Sequence, residues 1–172
     1  MTELMDELKA VGIEPMQFDT QLETKDTQDI ESIQAWLGDI NPNYNPFDYT
    51  CPYNVNCGSC SLAVWNRLNG GDLNMVAGAE NIPYNHQMEA LTGMQQVEMT
   101  PSAIKDYLFE QGAGANGIVG IDRADGAGHW LNVYNDGERV VAIDGQDGSV
   151  KDWPPTDLGN VVRWELSIRK GE

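Results

Sequence analysis

The hydrophobic period of this chain changes near Gly112, and that change limits the fold more than any local motif does. Before it, apolar residues recur at helical spacing. Leu4, Met5, Leu8 and Val11 do so within Thr2 to Val11, and Ile30, Ile33, Trp36 and Leu37 in a segment opening near Asp26 or Thr27 and closing at Gly38. The same recurrence links Leu62, Ala63, Trp65 and Leu68 between Cys57 and Asn69-Gly70-Gly71, and Ile104, Tyr107 and Leu108 behind the helix opening Thr100-Pro101. Spacings of three and four residues put such side chains on one helical face. Beyond Gly112, the runs Gly117 to Ile121, His129 to Tyr134, Arg139 to Asp144 and Val161 to Ile168 are short, β-like and separated by Gly and Asp turns. Helices followed by strands predict an α+β domain with a helix packed on an antiparallel sheet. Gly12 to Lys25 reads as a connector. The expected organisation is therefore an N-terminal helical extension over residues 1–39 and a single domain over residues 40–172. Residues 72–99 show no clear period apart from a short helix near His86 to Leu91.

Charge excludes several classes of partner. With 27 acidic against 10 basic side chains the net charge is −17, and no run of Lys or Arg exists to displace counterions, so nucleic acid and anionic membranes are not expected partners. No apolar stretch approaches the ~20 residues of a membrane span. Met1-Thr2-Glu3-Leu4 lacks the basic and apolar regions of an export signal. A soluble protein acting in a cytoplasm, or delivered there, is expected. Its three cysteines, Cys51, Cys57 and Cys60, are an odd number close together, which argues against a fully paired disulfide framework.

The loop Ile40-Asn41-Pro42-Asn43-Tyr44-Asn45-Pro46-Phe47-Asp48 cannot continue a helix and leads into Asn56-Cys57-Gly58-Ser59-Cys60, with Asn56 or Asn54 near the helix cap. Its aromatics are expected to pack on the domain. A thiol at a helix start meets unpaired N–H groups and the positive end of the dipole, both of which favour a thiolate. To act as a nucleophile it needs a base, and the base needs an orienting group. Asn135-Asp136-Gly137-Glu138 supplies a route to both, because Asp-Gly suits a two-residue type I′ hairpin turn. That turn pairs Asn135 with Glu138 and, farther along the strands, His129 with Asp144. Residues so opposed have Cβ atoms roughly 4.5 to 5.5 Å apart on one face, within imidazole-to-carboxylate reach. A loop one residue longer would put Ile143 there instead.

These residues resemble the papain-fold glutamine deamidase toxins of the Tox-PL type, found in bacterial polymorphic toxins and phage-associated proteins. The matching features are Ile40-Asn41-Pro42-Asn43-Tyr44, Asn56-Cys57 with Cys60, Ala63, Arg67-Leu68, Gly70, His129 with Asn132-Val133, and Asp144-Gly145-Gln146. The resemblance covers roughly residues 40 to 170. It implies a papain-like cysteine hydrolase fold, a Cys57, His129 and Asp144 triad, and conversion of a protein glutamine side chain to glutamate. A protein partner presenting that glutamine follows, and a cognate inhibitor protein is a further possible partner. Asn56 and Gln146 are candidate oxyanion or substrate contacts, and Cys60 is the alternative nucleophile. No cofactor is needed for thiol hydrolysis. The alternatives are a papain-like protease or transglutaminase, a structural zinc site built from Cys51, Cys57, Cys60 and His129, and a non-catalytic interaction module.

Overall fold

The computed structural model describes residues 28–48, 50–72 and 74–169. The expected Thr2 to Val11 helix and the connector after it lie outside the described residues. Four α-helices are described: α1 (Ile30–Leu37), α2 (Cys57–Leu68), α3 (Asn85–Thr92) and α4 (Pro101–Gln111). The starts of α1 and α4 have a local cause. Asp29 accepts from Ser32 N at 2.7 Å at the head of α1, and Thr100 Oγ1 accepts from Ala103 N at 3.1 Å ahead of the N1 proline of α4.

Six strands, β1 (Met94–Glu98), β2 (Asn116–Arg123), β3 (Gly128–Asn135), β4 (Val140–Asp144), β5 (Ser149–Asp152) and β6 (Val161–Arg169), form one sheet. Their order is β1-β6-β2-β3-β4-β5, and every pairing is antiparallel. The two edge strands escape sequence reading because neither carries an apolar alternation long enough to show: β1 reads Met-Gln-Gln-Val-Glu and β5 is four residues long.

Side chains alternate across the sheet, so each face has its own core. Ile118, Trp130, Tyr134, Val141 and Ile143 meet Val64, Trp65 and Leu68 of α2 together with Ile33 and Leu37 of α1. Val119, Leu131, Val133, Ala142 and Leu166 meet Ile104 and Leu108 of α4 on the other face. Helix α1 precedes residue 40, yet it shares the core of α2. Burying Ile33 and Leu37 stabilises this union by about 1.5–3 kcal/mol for each side chain.

The β3–β4 hairpin departs from its expected form. Asn135 pairs with Val140 and Asn132 with Ile143, so the connection is four residues, 136–139, instead of two. A type I′ turn needs positive φ at both central residues, and among the described residues only glycines adopt one; Gly137 has φ 99° and Asp136 does not. The Asp136 carboxylate instead accepts from the N–H of Glu138 and of Arg139, each at 2.8 Å, and wraps the longer loop around itself. The register moves by two. Continued along the strands, it sets Asp144 opposite Leu131, on the same face as His129 but diagonal to it.

The loop before α2 is held by Asn54, whose Nδ2 donates to the carbonyls of Asn45 and Asp48 while its Oδ1 accepts from Asn45 N. The expected packing of the loop's aromatics fails at Phe47, which is 95% exposed. Ile40 and Asn41 are the buried residues of the loop, Tyr44 is half-buried, and the stretch around Phe47 depends on these polar ties.

Candidate active site

Cys57 is the first residue of α2, where backbone N–H groups have no intrahelical partner. The segment preceding α3 crosses it closely: a Cβ on Gly58 would stand 2.7 Å from Ile82 Cβ. Cys60, one turn later, is buried, and its thiol donates to Asn56 Oδ1 at 3.6 Å. Burial, with the charges of Cys57, Asp144 and Asp147 added, pushes its pKa far up. Cys60 is thereby held as a neutral thiol.

Asn56 occupies the N-cap position but does not cap the helix with its side chain. Wholly buried, it donates from Nδ2 to Asn41 Oδ1 at 2.9 Å and to the Gly78 carbonyl at 2.7 Å. Both amide hydrogens are therefore engaged, and the expected oxyanion contact has no donor left to make it. The amide instead fixes the backbone entering Cys57. Asn41 completes the tie by donating to the carbonyls of Tyr53 at 2.9 Å and Gln146 at 3.0 Å, which joins the cysteine loop to the end of β4.

His129 Nε2 lies 2.7 Å from Asp144 Oδ2. With that nitrogen committed, Nδ1 is the one left to face Cys57, which lines the same grooves as the ring. The imidazole pKa is raised to about 10. Burial opposes its charge, but the Asp144 carboxylate that accepts from the ring and the Cys57 sulfur beside it, with the negative charges of both, outweigh it. Next along β3, Trp130 N donates to Cys57 Sγ at 3.4 Å, while its indole faces the α2 core and donates to the Ile82 carbonyl at 2.8 Å. Asp144 is steadied in turn by Gln146 N, which donates to its Oδ1 at 3.0 Å. Gly145 allows this corner to sit against α2, since a Cβ there would stand 2.8 Å from Val64 Cγ2.

Two depressions meet at Cys57 and His129. One, of about 490 Å³, runs past Asp144, Gln146 and Lys151; the other, of about 250 Å³, runs past Ile82, Gly120 and Glu165. Gln146 Nε2 donates to Asn56 Oδ1 at 3.4 Å, which leaves its second hydrogen for the groove. The zinc arrangement does not assemble. The Cys51 thiol donates to the Asn43 carbonyl at 3.5 Å, and among the described residues no three His, Cys, Asp or Glu side chains converge on a metal position.

A half-buried imidazole bonded to a carboxylate, beside a thiol at a helix start, can pass a proton to and from a reacting amide. Comparison with known proteins agrees with that chemistry. The family model described as papain fold toxin 1, glutamine deamidase matches residues 55–149, more than half of the chain. The chain belongs to this family. As a papain-fold glutamine deamidase it is an amidohydrolase, with an α+β architecture of helices on an antiparallel sheet. No curated protein and no solved structure matches it.

The matched span contains Cys57, His129, Asp144 and Gln146, and the fold brings these four to one place. Three contributors had no reading as site residues in the sequence. The amide of Trp130 is a backbone group that any residue would supply. Asn41 stood in the loop motif without a role, and Glu165 sat unremarked in the β-like run Val161 to Ile168. Among the described residues, no helix is long and apolar enough to cross a membrane.

Proposed function

We propose that this chain deamidates a glutamine side chain of a target protein, with Cys57 as nucleophile, His129 as acid and base, and Asp144 as its orienting partner. The observation that carries the reading is the strand itself: His129 Nε2 bonds Asp144 at 2.7 Å while the N–H of the next residue, Trp130, donates to the Cys57 sulfur at the start of α2 at 3.4 Å. Cys57 sulfur forms a bond to the side-chain amide carbon, and the carbonyl oxygen takes the negative charge. The Nδ1 proton of His129 passes to the nitrogen, the C–N bond breaks and ammonia leaves, with a thioester remaining. Water then attacks the same carbon and gives its proton to His129. The C–S bond breaks, and glutamate and the free thiolate result.

The oxyanion lies within reach of donors at the α2 start, for which we assign the Cys57 N–H and the spare hydrogen of Gln146 Nε2. Gln146→Ala is then expected to lower kcat by about 10²–10³ with a smaller change in KM. Residues 40–172 with α1 form the catalytic unit in this reading, and a cognate inhibitor protein would have to cover the mouth shared by the two grooves.

The test is incubation with glutamine-bearing protein substrates followed by intact mass spectrometry and an ammonia assay. A gain of about one dalton per event with release of ammonia and no chain cleavage supports deamidation. A cut chain would move the reading to a protease, and a cross-linked amine would move it to a transglutaminase.

A further inference from the structure

The smaller of the two depressions has a construction of its own. Across the sheet, Glu165 of β6 pairs with Gly120 of β2, which pairs with Trp130 of β3. All three positions face the same side. Gly120 has no side chain, and a Cβ there would stand 2.8 Å from the Trp130 ring, so glycine lets the indole lie close over the strand while Gly120, Trp130 and Glu165 all line one cavity. The segment through Ile82 and Asn85 closes the far wall, and the resulting cavity of about 250 Å³ opens onto Cys57 and His129.

Glu165 is only 3% exposed, an uncommon position for a carboxylate unless it is paired. Its Oε1 accepts from Arg163 Nε at 2.6 Å and its Oε2 from the Asn85 amide. A carboxylate has about four acceptor positions, so two stay unused. Arg163 also reaches toward Glu98, at 3.8 Å, and Asp122 lines the same cavity. Two carboxylates thus share the Arg163 guanidinium, Asp122 adds a further acidic side chain to the cavity lining, and among the described residues no Lys or Arg lines the cavity. The position also sets which part of a substrate can arrive. Two strand spacings place Glu165 about 10 Å from the Trp130 backbone that holds Cys57 Sγ. That is beyond a glutamine already seated at the sulfur, but within range of a long side chain on a residue beside it.

Resting on the deamidase reading above, we infer that this cavity is a subsite for a Lys or Arg side chain flanking the target glutamine, and that Glu165 determines that preference. The ammonium or guanidinium enters the cavity past the Trp130 ring and donates to the unused positions of the Glu165 carboxylate. Charge-assisted bonds of this kind favour the basic residue over a neutral one of equal length.

Two measurements on the full chain test this. The first is kcat/KM for ammonia release from glutamine peptides that differ only in a flanking Lys, norleucine or Glu. The second is the rate at which Cys57 is modified by the cationic 2-aminoethyl and the anionic 2-sulfonatoethyl methanethiosulfonates, which needs no turnover. The Lys peptide is expected to exceed the norleucine peptide by about tenfold, and the ratio to fall toward unity in Glu165→Gln. The cationic-to-anionic reagent ratio should fall in the same variant. If Glu165→Gln does not give a native circular dichroism spectrum, the double variant Glu165→Gln with Arg163→Gln, which removes both charges together, takes its place. A preference that survives in a folded variant, or no preference in the parent protein, overturns the subsite. Equal ammonia release from all peptides overturns it while leaving deamidation intact. No ammonia from any peptide, together with a Glu165-dependent reagent ratio, supports the subsite and removes the deamidase reading.

Discussion

A thiol reacts as its thiolate, and two cysteines one helical turn apart differ in whether they can carry that charge. Cys60 is buried beside Asn56 and its pKa is driven far up, so iodoacetamide near pH 6 should label Cys57 and leave Cys60 unmodified, as peptide mass spectrometry would record. Cys57→Ala should lower turnover by about 10³-fold or more, whereas Cys60→Ala should keep it within a few fold. His129 gives the pH dependence. Its pKa rises from 6.5 unfolded to about 10 folded, a shift that stabilises the folded protein fully below pH 6.5 and is lost as pH climbs through about 10. The urea midpoint of the parent protein should therefore fall across that window, and His129→Gln should flatten the fall. Activity should show an alkaline limb near pH 10. Because Asp144 supplies the leading upward contribution, Asp144→Asn should move that limb to lower pH and reduce kcat by about 10²–10⁴. A variant with an unmoved limb would separate Asp144 from the imidazole.

The β3–β4 hairpin shows how far element-level reasoning carries. The expected two-residue turn and the observed four-residue loop differ by an even number, and side chains alternate with period two, so His129 and Asp144 share a face in either register. The direct pairing was wrong and the proximity right, because a diagonal neighbour lies about 7–8 Å away and a carboxylate spans the remainder. Parity belongs to the strand, while loop length was decided by the Asp136 carboxylate, which binds two amides of its own turn. Replacing Asp136-Gly137-Glu138-Arg139 by Asn-Gly keeps Asn135 opposite Val140. It should leave activity within about threefold, as measured by ammonia release. Gly145 is less forgiving. Gly145→Ala drives a methyl against Val64 and the Cys60 carbonyl, and should cost about 1–3 kcal/mol in urea unfolding while displacing Asp144 enough to lower kcat.

At the scale of the molecule, a net charge of −17 repels itself and attracts cations. Added salt screens both effects. Raising NaCl from ~10 mM to ~0.5 M should lift the thermal midpoint by a few degrees and weaken kcat/KM toward basic protein substrates, mostly through association. A salt-independent kcat/KM would limit any charge effect to the contacts inside the site. The sequence by itself determined the α+β class, the α2 and α4 boundaries and the four longer strands, because period and capping are local properties of consecutive residues. It also singled out Cys57, His129 and Asp144 as candidates, since reactive residue types in a given order are visible without coordinates, and the fold sets them along one groove. Tertiary structure alone decided the rest. Asn56 became a buried tie instead of a donor to substrate once Asn41 and Gly78 approached it from distant loops. Strands β1 and β5 became edges because β6 and β4 offered them partners. Glu165, one residue of a β-like run in the sequence, became a cavity wall because the segment before α3 folds over it. Burial and partnership are relations between residues far apart in the chain, and no local pattern records them.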